Sequence, residues 1–143
     1  MAIKAVSKRR LLKLADFLDR LPPKRFNYAT WVGGDWDGRQ DLSCGTTACA
    51  LGWACTIPAF RRLGLRLSSY GVPILLRGGT ITHETAAAAF IFKIDQTHAS
   101  YLFCPDYHLF SERLPRSPGR RASPREVAAH IRRFVAYQEA HDE

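Results

Sequence analysis

Residues 7–23, SKRRLLKLADFLDRLPP, decide the class of fold. Leu11, Leu14, Ala15, Leu18 and Leu21 recur at intervals of three and four, the spacing of one helix face. Lys8, Arg9, Lys13 and Arg20 fall largely on the opposite side. Ser7 is placed to act as N-cap, and Pro22-Pro23 ends the helix because proline disfavours helical backbone before it. The stretch reads as an amphipathic helix docked on a core, with a basic outer face.

Working outward, the same logic yields more helix than strand. Residues 24–43 read as irregular chain with turns at Gly33-Gly34 and Asp37-Gly38, room for a strand at about 26–32, and aromatic anchors at Phe26, Tyr28, Trp31 and Trp36. A second helix is expected from an N-cap at Thr46 or Thr47, with Ala48, Leu51, Ala54 and Cys55 on one face. Pro58 then opens a short piece that Gly64 closes. Residues 72–82 form two β-prone runs around Arg77-Gly78-Gly79, a small hairpin. An Ala-rich helix is expected from Thr82, with Glu84 in its first turn, and Asp95 caps another that ends at Phe103 before Pro105. Ser123, Pro124 and Glu126 spell a capping box for a last helix whose inner face is Val127, Ile131, Phe134 and Val135. The expected fold is mainly α: a single compact helical domain over residues 1–143 with a small β-hairpin.

Length and composition exclude several classes. A chain of 143 residues with 46% hydrophobic and 24% charged residues is neither disordered nor fibrous. At this size a domain buries roughly 70% of its unfolded surface, so folding requires neither metal nor disulfide. No run of 18 apolar residues appears, and Lys13, Asp16, Asp19 and Arg20 interrupt the early apolar stretch, which argues against a signal peptide. A cytoplasmic protein with no membrane partner is expected, its four cysteines reduced.

Charge is the unusual property. The formal net charge is +8, and arginine outnumbers lysine sixteen to five. Residues 1–25 hold eight bases and two acids, residues 26–110 six of each, and residues 111–133 seven arginines against Glu112 and Glu126. Two basic flanks therefore bracket a neutral middle. Such clustering serves solubility, or else contact with a polyanion through Arg9, Arg10, Arg120 and Arg121. Arg120-Arg121 and Arg132-Arg133 come with no helix-turn-helix, zinc-finger or RNA-recognition signature.

One segment is not generic: Cys44-Gly45-Thr46-Thr47-Ala48-Cys49-Ala50-Leu51-Gly52-Trp53-Ala54. It resembles the C-G-T-x-x-C-x-x-G-W-A signature of small uncharacterised bacterial and phage proteins of about this length, in which an amphipathic helix precedes the motif. An Ala-rich helix and Leu102-Phe103-x-Pro105 follow it. The resemblance implies a family and no activity.

Three chemistries suit the motif. In the first it is a structural staple: Gly45 permits an unusual backbone, threonine caps, Cys49 and Gly52 allow close packing, and Trp53 fills the space beside them. In the second, Cys44 is a nucleophile at a helix N-terminus, with a histidine (His83, His98 or His108) oriented by Asp95 or Asp106. Gln40 through Gly45 is similar, over that short stretch, to papain-like cysteine peptidases, where the glutamine helps bind the oxyanion. In the third, Cys44 and Cys49 join Cys104 and His108 as four tetrahedral zinc ligands. The staple reading leads, with no cofactor expected. Function is then a non-enzymatic binding module whose basic flanks contact nucleic acid or another acidic macromolecule, with a Cys44-dependent hydrolase or transferase and a zinc-stabilised adaptor as the alternatives.

Overall fold

The computed structural model describes residues 3–34, 36, 38–40, 42, 46–107 and 114–141. Its longest elements are the first and last helices, α1 (Ala5–Arg20) and α6 (Pro124–Ala140). Each carries one apolar stripe, and the two stripes face a common core: Leu11, Leu14 and Leu18 on α1, Val127, Ile131 and Phe134 on α6. The pair is antiparallel, because Lys8 near the start of α1 bonds Glu139 near the end of α6. The capping box of α6 is present in both halves, Ser123 Oγ accepting from Glu126 N at 3.1 Å and Glu126 Oε1 from Ser123 N at 3.0 Å.

Between these helices lie α2 (Ala50–Ala54), α3 (Pro58–Arg61), α4 (Glu84–Phe92) and α5 (Gln96–Phe103). Helix α4 is too apolar all round to be a surface helix, and Ala87, Ala88, Ile91 and Phe92 are buried. Phe92 joins the layers: its ring stands 5.3 Å from Phe60 of α3 and 5.4 Å from Phe103 of α5.

Strand content exceeds the single expected hairpin, so the fold is mixed α and β. Among the described residues there are two antiparallel sheets: β1 (Val32–Gly34) with β2 (Thr46–Ala48), and β3 (Leu65–Leu67), β4 (Pro73–Arg77) and β5 (Thr80–His83) in that order. The hairpin itself is where the sequence places it. Gly78 and Gly79 form its two-residue loop with φ of +53° and +81°, the paired left-handed backbone that matches strand twist. The strand β3 is the addition. Its outer side is occupied by Gln40, whose amide donates to Leu67 O at 2.8 Å and accepts from Leu67 N at 2.9 Å, as a neighbouring strand would.

Four local expectations are corrected. Thr46 and Thr47 do not cap α2; they pair with Gly34 and Gly33 in β2. The cap is Cys49, whose Sγ accepts from Gly52 N at 3.4 Å. Ser7 does not cap α1, which starts two residues earlier; it is buried and donates to the carbonyl of Lys93 at 3.0 Å. Thr82 belongs to β5, and α4 follows at Glu84 without a loop. The strand foreseen at 26–32 is reduced to β1 and one bridge from Phe26 to Ala48.

Candidate polyanion-binding surface

The surface starts with how α1 shares out its charge. Toward α6, Lys8 meets Glu139 at 2.7 Å, and Arg132 of α6 meets both Asp16 and Asp19 at 2.7 Å. Both acids of residues 1–25 are therefore matched on that flank. Arg9, Arg10, Lys13 and Arg20 have no carboxylate within ion-pair distance among the described residues. Their helix presents them on its outer and α3-facing sides, away from the buried stripe.

A groove of about 600 Å³ runs between α1 and α3, with Arg9, Arg10, Lys13 and Arg62 around Leu12 and Leu63. It shares Lys13 with a second groove of about 370 Å³ that reaches Arg20 and Pro58. It shares Arg10, Arg62 and Leu63 with a third, of about 330 Å³, that reaches Arg77, Phe90 and Lys93. The three form one continuous track. Arg10 is fixed in it, since its Nη1 donates at 2.7 Å to the Ile91 carbonyl, one of the last in α4 and without a partner in its own helix. That bond orients the guanidinium without cancelling its charge.

Sequence counting missed half of the track. Arg62, Arg77 and Lys93 come from the stretch that sums to neutral, and only the fold brings them beside Arg9 and Arg10. The other predicted pair lies elsewhere: Arg120 is in the loop before α6, its Nη1 2.6 Å from Asp106, and Arg121 beside it is exposed.

The Cys-Gly-Thr segment is seen in part, as Cys44 and Gly45 lie outside the described residues. What is described supports packing. Trp53 is buried, donates from Nε1 to the Arg25 carbonyl at 2.9 Å, and carries the Arg25 guanidinium 4.9 Å over its ring. A Cβ on Gly52 would lie 2.1 Å from the Trp31 carbonyl oxygen. Thr46 is buried with its hydroxyl unbonded. Burial raises the Cys49 thiol to about 11 and pushes Cys55 up further, so both are thiols rather than thiolates.

Several of the residues named for catalysis and metal binding are already engaged, and Cys49 and Cys104 lie near enough to each other to interact electrostatically. Gln40 is held against β3, with its amide oxygen and one of its two N–H groups engaged by Leu67. Asp95 does meet His98, at 3.1 Å, but it is also the N-cap of α5, and Asp106 is taken by Arg120. Of the zinc set, Cys44 and His108 lie outside the described residues, Cys49 is buried and Cys104 half-buried. Among the described residues no group of three His, Cys, Asp or Glu side chains is placed to hold a metal, and no helix is long and apolar enough to cross a membrane.

A polar knot that the sequence did not announce closes α5. Pro105 has no amide proton, so the Tyr101 carbonyl lacks its helical partner; His130 Nε2 takes that place at 3.3 Å. The Leu102 carbonyl accepts from the Tyr28 hydroxyl, and the Tyr101 hydroxyl donates to Pro115 O. Comparison with protein families, with curated proteins and with solved structures finds no match for this chain.

Proposed function

We propose that this chain is a non-enzymatic binding module that holds an acidic macromolecule along the track between α1, α3 and the hairpin. One observation carries the reading: Arg9, Arg10, Lys13 and Arg62 line one groove with no ion-pair partner among the described residues, while Asp16, the acid on that groove's lining, is paired with Arg132 of α6. Five of the seven bases along the track are arginines, whose planar fork suits phosphate and carboxylate alike. Unpaired cations in a concave, partly apolar groove concentrate field where an anion would sit.

Binding of inorganic polyphosphate and of a labelled oligonucleotide, measured by competition across salt, tests this. Affinity is expected to fall at least about tenfold between 50 and 200 mM salt, because each neutralised phosphate releases counterions. The double change Arg9→Glu with Arg10→Glu is expected to abolish most of it. Binding that ignores salt, or no binding to either probe, overturns the proposal.

A further inference from the structure

We infer that the occupant of the track is single-stranded nucleic acid, with Phe90 as the surface on which a base stacks; this rests on the polyanion reading above. Eight of the fifteen described aromatic side chains are buried in the core, Phe60 at 1% and Trp53 at 5% exposed, and the exposed Tyr70 and Tyr107 do not line the track. Phe90 is different. It projects from α4 on the side away from buried Ala87, Ala88, Ile91 and Phe92, is 41% exposed, and lines the end of the track. The Arg77 guanidinium lies 4.5 Å over its ring and the Lys93 ammonium 5.1 Å from it. An exposed aromatic between two cations, at the end of a basic groove, is the combination that sequence-tolerant single-strand binding uses.

Magnitudes favour the exchange. A base stacked on an aromatic ring is held more strongly than an exposed cation–π contact. A base can displace one cation from the ring, and that cation is then free for the flanking phosphate. The track also has the right form. Its bases line grooves rather than a ridge, so a flexible strand can follow it. From Arg9 to Arg20 the α1 side of the track spans about 17 Å at 1.5 Å per residue, room for a few nucleotides.

The test uses the intact chain and three probes: a labelled oligothymidylate of about 12 nucleotides, the same length as duplex, and inorganic polyphosphate. Single strand is expected to bind more tightly than duplex. Phe90→Ala should weaken the oligonucleotide about 5- to 100-fold while leaving polyphosphate unchanged, and Phe90→Trp should retain oligonucleotide binding; thermal melts check that both variants stay folded. If single strand and duplex bind alike and Phe90→Ala changes neither, the single-strand inference falls and the polyanion reading survives. If Phe90→Ala weakens oligonucleotide and polyphosphate equally, Phe90 has a structural role and the stacking inference falls. If no probe binds at low salt, both fall.

Discussion

At Gly52 two effects of opposite sign compete. Glycine inside a helix costs about 1 kcal/mol relative to alanine, so propensity alone makes Gly52→Ala stabilising. The Trp31 carbonyl oxygen would stand 2.1 Å from the new Cβ and the Ala48 methyl 2.9 Å from it. Neither is a flexible side-chain end, and overpacking of this kind costs about 3 kcal/mol or more. The steric term wins. Gly52→Ala is expected to lower the melting temperature markedly in a thermal scan, and an unchanged or raised one would mean that the β1–β2 corner yields easily. The glycine in the C-x-x-G-W run is thus explained by contact rather than by chemistry, and Trp53 beside it by burial and by its bond to the Arg25 carbonyl.

At the level of elements, the ends of the helices carry much of the specificity. Helix α5 owes its termination to Pro105 and its satisfaction to side chains from far away in the chain, Tyr28 and His130. Because the Tyr101 carbonyl can only accept, His130 must donate from Nε2, which leaves Nδ1 buried with no partner among the described residues. A proton added at Nδ1 would place a charge in the core with no acceptor, and burial accordingly lowers the His130 pKa below its ordinary value. The unfolded chain takes up this proton near pH 6.5 while the folded one resists. Stability should therefore be full above about pH 6.5 and decline as pH falls toward the lowered value. His130→Gln keeps a donor near Nε2 and cannot titrate. Its stability profile, followed by chemical denaturation from neutral to mildly acidic pH, is expected to be flatter than that of the parent; parallel profiles would show that His130 does not carry the slope.

For the whole molecule, the question is where unneutralised charge ends up. The counts place it on two flanks. The fold cancels Lys8 of the first flank with Glu139, occupies that flank's two acids with Arg132 of the second, pairs Arg120 with Asp106, and recruits Arg62, Arg77 and Lys93 from the neutral middle. Reversal of charge should then be position-dependent. Arg9→Glu with Arg10→Glu is expected to reduce polyanion affinity strongly and to flatten its salt dependence, whereas Arg120→Glu with Arg121→Glu, with the same change in net charge, is expected to do much less. Equal losses would mean that net charge rather than the track governs binding.

Several features were legible because their signals act within about one helical turn. The leucine stripe and Pro22-Pro23 bound α1, Ser123 to Glu126 starts α6, Asp95 caps α5, and Gly78-Gly79 turns the hairpin. Each is a contest between a residue and its immediate neighbours, which the sequence alone determines. The rest was settled by partners far along the chain. Ser7 looks like a cap until Lys93, 86 residues away, presents a buried carbonyl that needs a donor. Thr46 and Thr47 look like caps until β1 offers them a ladder, and Gln40 looks like loop chain until Leu67 engages its oxygen and one of its N–H groups. The basic track belongs to the same group, since no local pattern links α1 to Arg62, Arg77 and Lys93. Burial makes every unmet hydrogen bond costly, so side chains are committed by whatever the closed chain brings near them, and only the tertiary structure decides what that is.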